Sequence, residues 1–154
     1  MHLLLLAFVI GCAIPLQAAI NNQLKIHLEG STLLASFVSF LVGTLALAAV
    51  ATFSGARWQS LATLGEAKGW QLTGGLLGAF FVFGTTLLAP RIGVAKMVAL
   101  IIAGQVVVSL LMDRQGWLGL AVRELTVTRL AGALMVVAGV VLVNYDSLFA
   151  QKAG

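Results

Sequence analysis

Gly11-Cys12-Ala13-Ile14-Pro15-Leu16-Gln17-Ala18-Ala19-Ile20-Asn21-Asn22-Gln23-Leu24 starts as a run compatible with hydrocarbon and ends in a cluster of carboxamides. On a helix, Gln17 and Asn21 lie four residues apart and share a face. Gly11, Pro15, Ala18 and Asn22 form a second stripe, mostly of small side chains, turned from the first by roughly 120° at about 100° per residue. A small stripe lets a neighbouring helix approach closely. A carboxamide stripe needs hydrogen-bond partners from protein, water or a ligand.

The surroundings of this stretch fix its solvent. The chain of 154 residues is 60% hydrophobic and only 9% charged, against about 25% charged in a soluble domain. Its mean hydropathy is +1.07. These values describe an integral membrane protein. The formal charge of +4 does not indicate a nucleic-acid partner, because the basic residues are scattered at the ends of apolar runs, as membrane-flank charges are. One cysteine, Cys12, excludes an internal disulfide and any cysteine-based metal site. With His2 and His27 as the only histidines, no metal or cofactor is expected.

A membrane span needs about 20 predominantly apolar residues. Five candidates follow, at about 3–24, 32–53, 70–89, 94–112 and 128–145, making one all-α transmembrane domain of residues 1–154. Ser31, after Gly30, is the expected N-cap of the second. The fifth has the shortest uncharged run, so Arg129 must snorkel at its entrance. Leu3–Ile10 could be the apolar core of a signal peptide, and Val9–Cys12 is close to a lipoprotein processing site. The preceding residues lack Lys and Arg, however, and the apolar run continues to Ile20, so a retained helix is expected.

The loops set the topology. Loops one (Lys25–Gly30) and three (Pro90–Gly93) are short, whereas loops two (Ser54–Gly69) and four (Asp113–Val127) are longer. Trp58, Trp70 and Trp117 fall in or beside the longer loops, giving the N-terminal side an aromatic belt, with Tyr145 and Phe149 on the other side. Pro90 disfavours helix at Ala89, so Pro90–Gly93 is expected to be a tight turn. The N-terminal side carries five basic residues (Arg57, Lys68, Arg114, Arg123, Arg129) and the other side four (Lys25, Arg91, Lys96, Lys152). So small a bias fits either a single topology fixed by a few charges or insertion in both orientations with antiparallel pairing.

Several helix faces carry small or polar residues. Ser36, Ser39 and Gly43 share one on the second span, Gly74 and Gly78 with Thr85 one on the third, and Gly132, Val136 and Gly139 one on the fifth. Each suits close helix packing. Gln105 is the deepest polar group of the fourth span, aligned with Ile101, Val108 and Met112, with Ser109 one turn on. An unpartnered carboxamide in hydrocarbon costs several kcal/mol, so Gln105 is expected to face the interior or a cavity. Its two readings are an interhelical hydrogen bond and a substrate contact. Gln17, Asn21, Gln105 and Ser109 are thus the cavity candidates. No carboxylate lies inside a predicted span; Asp113, beside Arg114, is the nearest titratable group for ion coupling. Nothing resembles a catalytic constellation: there is no Gly-rich phosphate loop and no carboxylate pair.

The ordered motifs Pro15–Asn21, Ser39–Thr44, Gly74–Ala79, Ala89–Gly93, Gly104-Gln105 with Ser109 and Asp113, and Gly132 with Gly139–Leu142 resemble the YdcZ-type family of small bacterial membrane proteins, grouped with the drug/metabolite transporter superfamily. One departure is in loop four, where the family commonly has a proline and this chain has Glu124-Leu125-Thr126. The resemblance implies five helices per chain in the bacterial inner membrane and two copies paired in opposite orientations as a ten-helix bundle. The partner would be a second copy or a paired homologue, and the substrate an unidentified small molecule. The last helix is also similar to the dimerising helix of small multidrug resistance proteins, which makes Gly132, Val136 and Gly139 dimer-contact candidates. Those proteins carry an essential first-helix glutamate; Gln17 and Asn21 stand here instead, so proton-coupled export of cationic drugs does not follow. The expected function is transport by alternating access. The alternative is a non-transporting scaffold or subunit of another membrane protein, whose polar groups are structural and whose interior is dry.

Overall fold

The computed structural model describes residues 2–145. Among these the architecture is all-α: α1 (His2–Ile26), α2 (Thr32–Phe53), α3 (Gly74–Ile92), α4 (Val94–Gln115) and α5 (Val127–Val143), with 3-10 helices in the two longer loops. Four helical segments are long and apolar enough to cross a membrane: His2–Ile26, Thr32–Phe53, Gly69–Ile92 and Val94–Gln115. The chain forms two compact units, Met1–Arg91 and Ile92–Gly154.

In the first unit, α1 continues through Pro15 to Ile26. The chain then reverses in a few residues. Gly30 N–H donates to the Lys25 carbonyl at 3.0 Å, and Glu29 and Gly30 adopt left-handed backbone with φ of 53° and 79°. Ser31 then caps α2 as expected, its Oγ accepting from Leu34 N–H at 3.2 Å. So tight a reversal lays α2 back along α1, and small residues make the seam: Ala18 and Ala35 are fully buried, with Asn21 and Ser36 close to it. Ser36 satisfies its hydroxyl within its own helix, donating to the Thr32 carbonyl at 2.9 Å. On α3, Thr85 and Thr86 are buried, and both hydroxyls donate to the Val82 carbonyl, at 3.1 and 2.8 Å. Leu3, Phe8, Leu47 and Phe80, by contrast, are each at least 70% exposed. Small and polar residues inside with large apolar ones outside is the pattern of a chain whose solvent is lipid.

Both ends of the third helix differ from expectation, and α4 runs on to Gln115 rather than stopping at Met112. The third helix does not stop at Ala89: it passes Pro90 and ends at Ile92. Pro90 removes one backbone bond, but unwinding there would free further polar groups in an apolar environment, and Ala89, small and buried, clashes little with the proline ring. The break falls on Gly93 alone, at φ 85°. At its other end the α-helix starts at Gly74 rather than Trp70, because Gly69–Leu72 winds as a 3-10 turn.

In the second unit, α4 ends at Gly116, a left-handed cap with φ 62° whose N–H donates to the Met112 carbonyl at 2.8 Å. Loop four folds back onto this cap. Arg123 N–H donates to the Asp113 carbonyl at 2.7 Å. Thr126 caps α5, accepting from Arg129 N–H at 3.3 Å. α5 packs along α4. Asn144 is its C-cap, and its Nδ2 donates to the Val140 carbonyl at 2.8 Å. Phe149, expected opposite the tryptophans, lies outside the described residues.

Candidate functional site

The candidates divide between the two units, and each unit is best taken by itself. In the first, Gln17 on α1 lines a cavity of about 210 Å³ together with Ser39, Gly43 and Thr44 of α2 and Val82 of α3. α1 presents Gln17 to it because the face that buries Ala18 against α2 leaves the preceding residue at the seam's edge. Gln17 is exposed and, among the described residues, its amide forms no hydrogen bond. The cavity therefore offers one carboxamide and two hydroxyls on an otherwise apolar wall. Such a surface can hold a small molecule by a few directed hydrogen bonds plus apolar contact.

One helical turn from Gln17, Asn21 is only 3% exposed, and its Nδ2 is buried with no hydrogen-bond partner. The two carboxamides thus share a helix face but not an environment. A buried amide donor left unpaired costs about 1–3 kcal/mol.

In the second unit, Gln105 and Ser109 are exposed on α4. Ser109 turns its proton inward, donating to the Val106 carbonyl at 2.9 Å, and keeps its acceptor lone pairs. Gln105 forms no hydrogen bond among the described residues. It lies on the surface of its unit. Asp113 pairs with Arg129 at 3.3 Å across the α4–α5 junction, rather than with the adjacent Arg114. Residues adjacent in sequence point to different sides of a helix, whereas the returning α5 brings Arg129 alongside. Among the described residues no group of three His, Cys, Asp or Glu could hold a metal ion.

The small-residue faces separate by use. Gly78 receives the ring of Phe40, whose Cζ is 3.2 Å from where a Cβ would stand. Gly43, Gly74, Gly132 and Gly139 meet nothing within 4 Å. Ser39, expected as a packing residue, lines the Gln17 cavity. Ser39 and Gly43, four apart, put a hydroxyl beside an open glycine, and that pairing with Thr44 was the available signal for a cavity wall.

Residues 2–142 match the family model described as "Putative inner membrane exporter, YdcZ". The chain belongs to the YdcZ family. A similar relative, "Inner membrane protein YdcZ" of Escherichia coli (strain K12), is 32% identical over 145 residues, which cover 91% of this chain and 94% of the relative. No solved structure matches. Membership makes this YdcZ-family chain a transporter-like, multi-pass protein of the inner membrane, in a family of membrane exporters rather than of enzymes.

Proposed function

We propose that the chain exports a small molecule by alternating access, as an antiparallel homodimer in which all five helices cross the membrane as a single domain. The observation that carries the reading is the Gln17 cavity, with an amide and two hydroxyls free to bind at a level where lipid offers no partner. Gln17 and Asn21 contact the substrate from α1, with Gln105 and Ser109 as contacts on α4. Inverted-repeat transporters commonly bind substrate near the midplane. A chain with five spans supplies one such repeat, and the near-even split of five and four basic residues suits insertion both ways round. Gly132, Val136 and Gly139 on α5 serve the contact between copies: a Cβ at either glycine would meet nothing within 4 Å among the described residues. At 17 residues, α5 is at the short end of the range for a span, about 17–25.

The test has two parts. Compounds that accumulate in the medium of cells overproducing the chain are identified, then offered to the purified protein in proteoliposomes. Gln17→Ala and Gln105→Ala are expected to lower transport at least tenfold, about the loss of 1.4 kcal/mol of binding; unchanged transport in both removes the site. Labelling of both termini in cells is expected to give mixed sidedness. Uniform sidedness removes the antiparallel pairing.

A further inference from the structure

Loop two contains a pattern that transport leaves unused. Residues Trp58–Glu66 form a 3-10 helix nine residues long, although such helices rarely exceed three or four residues, because side chains three apart eclipse one another. At three residues per turn the sequence sorts into rows. Trp58, Leu61 and Leu64 form the first, Gln59, Ala62 and Gly65 the second, and Ser60, Thr63 and Glu66 the third. The first row is wholly apolar and about half exposed, at 47%, 58% and 50%. The third is hydroxyl and carboxylate, tied by Thr63 Oγ1 donating to the Ser60 carbonyl at 2.8 Å. Trp70, also half exposed, continues the apolar side into the next 3-10 turn.

Something outside the chain must cover the first row, and the surroundings say what. The loop is tied at Phe53 and Gly69 to two segments apolar enough to cross the membrane, so both its ends are held at the membrane surface. Tryptophan favours that boundary. Arg57 directly precedes the 3-10 helix and Lys68 follows it, and among the described residues neither is in an ion pair. Cations at headgroup height meet lipid phosphates.

We propose that Trp58–Glu66 is an interfacial foot. Its row of Trp58, Leu61 and Leu64 is seated at the headgroup–acyl boundary of the chain's own bilayer, and Arg57 and Lys68 engage phospholipid phosphates. The bilayer stabilises a length of 3-10 helix that water would not. This rests on the membrane location alone and stands whether or not the chain transports anything.

The test uses the full chain with Cys12→Ala in nanodiscs of phosphatidylethanolamine and phosphatidylglycerol, where both membrane faces are open. Single cysteines replace residues 58 to 66 in turn, and the labelling rate by a charged maleimide is measured. The proposal expects a period of three, with Trp58→Cys, Leu61→Cys and Leu64→Cys about tenfold slower than Ser60→Cys, Thr63→Cys and Glu66→Cys, as a rise of one unit in thiol pKa gives. Uniform rates, or a period near 3.6, overturn it. Adding Arg57→Gln and Lys68→Gln is expected to speed labelling of Leu61→Cys severalfold; no change overturns the role of the two cations. A second measurement leaves the loop unmodified. With Trp70→Phe and Trp117→Phe, Trp58 is the sole tryptophan, and lipids brominated near the headgroup are expected to quench it more than aqueous acrylamide does. Quenching by acrylamide alone overturns the proposal.

Discussion

The ring of Phe40 on α2 rests on Gly78 of α3, its Cζ 3.2 Å from the place a Cβ would take. The contact is made by the far end of a side chain, so it can yield slightly. Gly78→Ala asks for a shift of a few tenths of an ångström and gains about 1 kcal/mol of helix preference, so thermal unfolding in detergent should move little. Gly78→Leu must displace the ring and is expected to cost about 1–3 kcal/mol. Phe40→Ala should recover part of that loss in the double variant.

Asn21 gives a prediction of opposite sign. Its Nδ2 is buried without a partner, so Asn21→Leu, close to it in shape, removes an unmet polar group. The melting temperature in detergent is expected to hold or rise, by up to about 1–3 kcal/mol equivalent. Transport, measured on the substrate found as above, is expected to fall. A clear loss of stability would mean that the amide is structural.

Asp113 and Arg129 are each about one-third exposed, at 31% and 35%, so solvent screens the pair. A double-mutant cycle with Asp113→Asn and Arg129→Gln is expected to give a coupling of only about 0.2–1 kcal/mol, weakened by salt. A much larger coupling would show that the junction is drier than its exposure implies.

Gly116 is the strictest glycine among the described residues. Its φ is +62°, and a Cβ would stand 2.8 Å from Val122 Cγ2 and 3.0 Å from the Leu120 carbonyl oxygen. Left-handed backbone costs a non-glycine residue about 1–2 kcal/mol, and the backbone oxygen has no room to retreat. Gly116→Ala is therefore expected to cost at least about 2 kcal/mol. Gly55→Ala, at φ +72° with open space around it, should cost only the conformational part. Equal unfolding shifts for the two would refute the close approach of loop four.

Much of the architecture was written in the sequence, for one physical reason. Hydrocarbon offers backbone groups no hydrogen bonds, so each long apolar run must be a helix whatever its neighbours do. That placed α2 at its full length and the other helices within a few residues, with Ser31 as a cap, and it put Gln17 and Asn21 on one face. Tertiary structure decided what each polar group meets. It buried Asn21 and left Gln17 in a cavity with Ser39 and Thr44, paired Asp113 with Arg129, and carried the third helix through Pro90 to Ile92. Helical periodicity gives the direction of a side chain along its own helix. What stands opposite depends on which other helix arrives there and at what height, and no local run of residues records that.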